Sequence, residues 1–265
     1  MVNKTSSATK AAICILCKKE HSTKAIEHIV PEAIGCPTEF VLQNGEVCEN
    51  CNNRLGFLDR EVASPFDVLA FHAGVPRKDN KLPVVLGRGN FVGQHTNEGK
   101  TIFINMDPKS ISAEHGVRLG AYGKSQRNIK ADLKVNGNVA QVTFDLEFRF
   151  SKRFVRGLYK IALEALTYFT GTSEALNTRY DSIREYITKG TPERKALAAF
   201  TGDTSYAHRI LPPFRLGERG HRIFLRLAVV EFVVDLTPDI STYEAVLEKI
   251  NEDGRTKIIF LPTEI

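Results

Sequence analysis

Four of the five cysteines stand in two matched pairs, Cys14-x-x-Cys17 and Cys48-x-x-Cys51, with residues 18–47 between them. A Cys-x-x-Cys turn bends the backbone so that both thiolates face one point, and two such turns supply the four soft donors of a closed, tetrahedral zinc site. The segment must therefore fold back until the second pair meets the first. The plain alternative, two unrelated pairs of buried thiols, requires free cysteines to recur at matched spacing. An odd cysteine count in this arrangement fits metal binding in a reducing compartment better than a disulfide framework. Zinc binding becomes folding energy in a module too small to be held by apolar burial. Four thiolates leave no open coordination position, so the zinc is a staple and a catalytic zinc is disfavoured. Cys36, the fifth, reads as a small buried residue.

The rest of the 265-residue chain is too long for that module alone, and its 42% hydrophobic and 25% charged content is that of a globular protein. The reading is a polar tail over 1–10, a zinc-stapled module over 11–64, a linker over 65–81 punctuated by Pro65, Gly74 and Pro76, and an α+β domain over 82–265. No stretch is apolar for the length of a membrane span; the most apolar run, Leu225 to Val234, is broken by Glu231. The tail lacks the apolar core of an export signal, so the expected location is the cytoplasm. A net charge of +5 helps approach to a polyanion and excludes little.

In the second domain, Val84–Leu86 and Thr101–Asn105 read as strands. Val142, Phe144, Leu146, Phe148 and Phe150 alternate with polar residues as in a half-buried strand, paired through an Asn136-Gly137 turn with Ile129–Val135. An antiparallel sheet follows. From Lys152 the apolar period becomes helical, with Phe154, Leu158, Ile161, Ala165 and Phe169 on one stripe and Gly171 as the stop. Further helices are expected over 173–189 and 192–200, with late strands over 222–235 and 256–261.

Between the cysteine pairs lies Glu27-His28-Ile29-Val30-Pro31, with Gly35 soon after, and the second pair runs on as Asn52-Asn53-Arg54-Leu55-Gly56. In that order, over about residues 14–60, these pieces closely resemble the HNH endonuclease superfamily in its four-cysteine, zinc-containing branch. The resemblance implies a ββα-metal fold, in which a β-hairpin carries Glu27 and His28 and a helix begins near Asn52. It implies His28 as general base, Glu27 and Asn52 as ligands of one Mg²⁺ or Mn²⁺, a middle Asn that orients the base, and DNA as substrate. Asn44 is the candidate for the middle position and Gln43 its competitor; Asn44-Gly45 reads equally well as a hairpin turn.

These roles have a chemical logic of their own. Phosphodiester hydrolysis needs a proton taken from water and charge neutralised on the leaving oxygen; a neutral imidazole does the first and a hard cation the second. Glu27 and Asn52 replace residues more usual in the literal pattern, and both keep oxygen-donor chemistry. Adjacent residues on a regular strand face opposite ways, so the site requires a bend near Glu27 and His28, with Pro31 a contributor. A lone histidine would more often be a surface or packing residue; the surrounding frame argues for the base. Asn53 and Asp59 are further candidates whose plain reading is a solvated helix face.

Arg54, Arg153, Arg156 and Lys160 are the candidate phosphate contacts, the last three at near-helical spacing opposite the apolar stripe, where a solvated face is the commoner explanation. His208, Arg209, Arg215, Arg219, His221 and Arg222 form a second basic concentration that serves an anion or an ordinary loop equally well. The sequence thus predicts an HNH endonuclease or nickase, with a homodimer as the simplest route to a double-strand break. The rival is a non-catalytic zinc-knuckle module binding nucleic acid or protein. Loss of zinc is expected to unfold the module and leave the second domain folded.

Overall fold

The computed structural model describes residues 11–22, 25–76, 84–86, 91–97, 100–106, 129–136, 139–146, 148, 150–237 and 257–262. The tail at 1–10, residues 77–83 and Gly137 of the expected hairpin turn lie outside them. The chain forms two compact units, residues 1–64 together with 151–265, and residues 65–150. In this division the residues from 151 onward group with the segment that carries the cysteine pairs. Mixed helices and antiparallel sheets make the protein α+β, as expected.

The first unit begins with a hairpin, β1 (Ala12–Ile13) and β2 (Glu20–His21), followed by a second, β3 (Glu27–His28) and β4 (Val41–Leu42). Helix α1 (Glu49–Ala63) comes next. Cys51, Leu55, Leu58 and Val62 recur at helical spacing and are buried. This is the expected ββα order, with the helix starting three residues ahead of Asn52.

Helix α3 (Lys152–Thr170) is the axis of the unit. Ser151 caps it, its Oγ accepting from Phe154 N at 3.1 Å, and Gly171 at φ 88° ends it. One side meets the sheet, where Phe154 lies 5.6 Å from Phe232 ring to ring. Another crosses α1 at Gly157, where an added Cβ would stand 2.3 Å from Val62 Cγ2 and 3.1 Å from Leu58 O. Only glycine allows that approach. With both sides covered, burial runs unbroken from Gly157 to Thr167, including Lys160 and Glu164. The sequence reading of Lys160 as a solvated, phosphate-facing residue is therefore corrected: it has no exposed surface.

The expected helix over 173–189 is broken into α4 (Thr172–Ala175), a 3-10 turn (Thr178–Tyr180) and α5 (Asp181–Lys189). Asn177 breaks it: its side chain accepts from Arg179 N and competes with the helical ladder. The helix expected over 192–200 is instead strand β10 (Ala196–Phe200). It pairs on one edge with β14 (Val230–Asp235) and on the other with β15 (Lys257–Leu261), and tertiary pairing overrides the helical preference of Ala and Leu. The run 222–235 folds as a hairpin, β13 (His221–Leu227) with β14, turning at Ala228 with φ 55°. The short strands β11 (Arg209–Ile210) and β12 (Phe214–Arg215) both pair with β13, giving an antiparallel sheet in the order β11-β13-β14-β10-β15.

The second unit holds helix α2 (Asp67–His72) and strands β5 (Val84–Leu86), β6 (Phe91–Asn97), β7 (Lys100–Met106), β8 (Ile129–Asn136) and β9 (Val139–Leu146). β6 and β7 pair antiparallel, β5 and β7 parallel, and β8 and β9 antiparallel with Asn136 opposite Val139. Phe148 and Phe150 lie beyond β9, their rings stacked at 6.0 Å beside Phe66. Among the described residues no helix is long and apolar enough to cross a membrane.

Candidate functional site

The first cysteine pair sits in the turn between β1 and β2, where Lys18 takes φ 58° and its N–H returns to Cys14 O at 2.8 Å. The second pair opens α1: Cys48 is the N-cap, its Sγ accepting from Cys51 N at 3.4 Å. Ile15 N donates to Glu46 O at 2.9 Å and Cys48 N to Cys14 Sγ at 3.4 Å, which joins the two turns. The four sulfurs lie within 4.8 Å of one another. Cys17 and Cys48 Sγ are 3.8 Å apart. A tetrahedron of thiolates about 2.3 Å from a zinc ion has edges of about 3.8 Å, so the cluster fits the ion. The hydrogen bond from Cys51 pulls the Cys14 pKa down to about 4, whereas that same bond pushes Cys51 up and burial raises Cys17. Cys36 stands apart, its thiol directed at Pro37 O and Phe40 O and pushed up to about 11 by burial.

Strand β3 places its two residues on opposite faces, as the pleat requires. Glu27 points inward and is 3% exposed. His28 faces outward, with a third of its side chain exposed and Nε2 3.3 Å from Glu32 Oε1. The chain bends at Ile29 and Val30, immediately after the pair and not between them. Asn52, in the first turn of α1, donates from Nδ2 to Ile26 O at 3.4 Å, which ties the helix start to the residue before Glu27. Asn44 belongs to a turn with Gly45 at φ 79°: its N and Nδ2 donate to the Glu46 carboxylate at 2.8 and 3.1 Å. Asn44-Gly45 thus lies in the loop between β4 and α1, not at the tip of a hairpin. Among the described hydrogen bonds neither Asn44 nor Gln43 is joined to His28.

Residues 14–66 match the sequence model of the HNH endonuclease family. That family is generally one of nucleases, and the matched segment carries both cysteine pairs, β2, β3, β4 and all of α1. No curated protein and no solved structure matches the chain.

Behind the HNH segment lies a cluster of charge that sequence reasoning missed. Lys160 Nζ, fully buried, stands 2.5 Å from Glu27 Oε1, 2.9 Å from Asp59 Oδ1 and 3.2 Å from Glu164 Oε1. Burial alone would lower the Lys160 pKa; the acidic groups around it, with the carboxylates of Asp59 and Glu27 among them, hold it well above the usual value. Burial raises Glu27 against the pull of Lys160, and raises Glu164 well above the carboxylate range, toward its protonated form. The signal was present in α3: Lys160 and Glu164 sit four apart in a stretch apolar all round, the mark of a buried helix rather than a surface one.

The remaining basic candidates divide. Arg54 and Arg153 are exposed, and Arg153 stands 6.0 Å from the Phe57 ring and 3.9 Å from Glu61. Arg156 is half-buried, donating to Ile187 O at 2.8 Å over the same ring, so it ties α3 to α5. In the second basic concentration, His208 Nε2 meets Ile34 O at 2.6 Å, His221 Nδ1 meets Tyr180 Oη at 2.7 Å and Arg222 pairs with Asp235 at 3.1 Å. Arg209, Arg215 and Arg219 remain at the surface.

Proposed function

We propose that the chain is an endonuclease or nickase that hydrolyses DNA phosphodiester bonds, with His28 as general base. One observation supports this most: within the family-matched segment, α1 brings Asn52 to the strand that presents His28 to solvent, beside a thiol cluster shaped for zinc. Glu32 faces Nε2 and orients the ring. His28 takes a proton from water as the water oxygen forms a bond to phosphorus, the bond from phosphorus to the leaving oxygen breaks, that oxygen takes a proton from solvent, and the imidazolium gives its proton back to solvent. The zinc cluster stays closed and structural.

A divalent cation such as Mg²⁺ or Mn²⁺ supplies neutralisation of charge on the leaving oxygen when bound. The Asn52 amide oxygen is a suitable hard donor. Glu27 does not fit as the second protein ligand in this arrangement, because its Oε1 already faces the Lys160 ammonium in a buried setting. That inward turn is also the one observation favouring the rival reading, a zinc-stapled DNA-binding module that does not cut.

Supercoiled plasmid incubated with the purified chain separates the two. Nicking or cutting is expected with Mg²⁺ or Mn²⁺, none with EDTA, and none for His28→Ala with its zinc and fold intact. DNA retained on a gel without cleavage under any cation selects the binding module. Light scattering of the DNA-bound chain tests the homodimer that a double-strand cut would call for.

A further inference from the structure

The nuclease reading leaves one buried group unexplained. Lys160 has no exposed surface, and taking an ammonium out of water costs several kcal/mol before its partners repay it; an apolar side chain of similar volume often serves stability as well or better. Stability alone is therefore a weak reason for it. What Lys160 joins is specific: β3 through Glu27, α1 through Asp59, and its own helix through Glu164.

The strand it grips is slight. β3 has two residues, paired with Val41 and Leu42 and continued by one hydrogen bond from Ile29 N to Phe40 O at 3.0 Å, and His28 projects from it on the face opposite Glu27. Asn52 holds the carbonyl of Ile26 just ahead. With Ile26 tied to α1 and Glu27 tied to α3, the strand is fixed on both counts, and so is the origin of the His28 side chain. Asp59 is 28% exposed and keeps some contact with water, whereas Glu27 at 3% depends on Lys160 for its compensation.

We propose that Lys160 is a positioning residue of the nuclease site, that Glu27 serves as its anchor on β3 rather than as a cation ligand, and that α3 thereby completes a site whose other residues lie in 14–66. The inference rests on the reading of His28 as the base. It places part of the active-site framework outside the matched family segment, which ends at residue 66, in a helix that begins only at Lys152.

The test uses the full chain as wild type, Lys160→Met, Lys160→Arg, Glu27→Gln and the double variant Lys160→Met/Glu27→Gln, each checked for zinc content and cooperative unfolding. Two readouts are taken: the single-turnover nicking rate across a Mg²⁺ titration, and the ¹H–¹⁵N signals of the His28 ring. Lys160→Met takes the ammonium away from Glu27 and Glu164, Glu27→Gln removes the link from Lys160 to β3, and a loss of about tenfold or more is expected in each, with displaced ring signals. The double variant removes the Lys160–Glu27 pair together, leaving Asp59 in contact with water and Glu164 beside it, and is expected to regain part of the rate, the ring signals and the wild-type Mg²⁺ requirement. Lys160→Arg keeps the charge and should retain more rate than Lys160→Met; it also serves if Lys160→Met fails to fold.

A double variant no faster than Glu27→Gln, with a raised Mg²⁺ requirement, makes Glu27 a cation ligand and overturns the proposal. Single variants with wild-type rates and ring signals overturn it as well. If the wild type does not nick DNA, it is the nuclease reading that falls. The ring signals still decide the tie: displacement in the single variants and return in the double supports it, and no displacement refutes it.

Discussion

The HNH segment is held at two ends by two different kinds of cement. At one end four thiols gather from two turns, and the donors suit a soft metal bound at short range. At the other, Glu27 and Asp59 close on Lys160, a cation carried by the protein itself on a helix from far along the chain. The first device is local and has a spacing that sequence alone displays. The second is invisible until the chain folds, because its partners are 133 and 101 residues away in sequence. A short pattern can thus announce a site while the residues that brace it stand elsewhere.

The largest expected effect tests whether the two ends belong to one cooperative body. The zinc end is clamped by α5: Arg184 Nε donates to Ile15 O at 2.7 Å, and Lys18 pairs with Asp181 at 2.5 Å. Structural zinc binding in small modules is worth on the order of 10 kcal/mol. Cys48→Ser should therefore strip hydrogen-exchange protection from α1 and from α5 as well, in contrast to the sequence expectation that only the module would unfold. Undiminished protection in α5 would show that the two ends are independent.

The crossing of α1 and α3 comes next. Gly157→Ala gains about 1 kcal/mol of helix propensity, yet its Cβ would meet Val62 Cγ2 at 2.3 Å and the Leu58 carbonyl behind it. Overpacking of that kind costs about 1–3 kcal/mol. A lowered denaturant midpoint is expected, partly recovered in Gly157→Ala/Val62→Ala. A stabilised Gly157→Ala would mean that the helices are not in close contact.

A smaller effect probes the ionic end by pH. Burial holds Glu164 well above its ordinary 4.5, so the folded chain keeps a proton that the unfolded chain gives up. Its contribution to stability is complete below that ordinary value and is lost as pH rises toward the raised one. Glu164→Gln, measured by denaturant unfolding from pH 5 to 8, should flatten this decline by up to about 1 kcal/mol per pH unit. Parallel curves for the two proteins would place Glu164 in its charged form. Smallest of all is the surface: Arg153→Ala should leave stability within about 1 kcal/mol. If Arg153 meets phosphate, the substitution lowers the salt dependence of DNA binding by about one ion.

Much of this molecule was legible beforehand, for reasons that differ by region. The cysteine pairs were readable because a metal demands particular donor atoms at particular spacings. Helix 152–170 was readable because its stripe and its Gly171 stop agree. The strand at Ala196–Phe200 was not, since a short apolar run suits a helix or a central strand and only its neighbours decide. Lys160 was misread because its helix was taken to have one buried side, while Gly157 gives it two. Asn44 stayed ambiguous in sequence because an amide beside glycine serves a turn as readily as a catalytic site.

The account stands or falls on the imidazole of His28 acting on water. His28→Gly should lose plasmid nicking while retaining zinc, and imidazole added to the solution should restore cleavage in proportion to its concentration. Nicking by His28→Gly at the wild-type rate, unaffected by added imidazole, would contradict it.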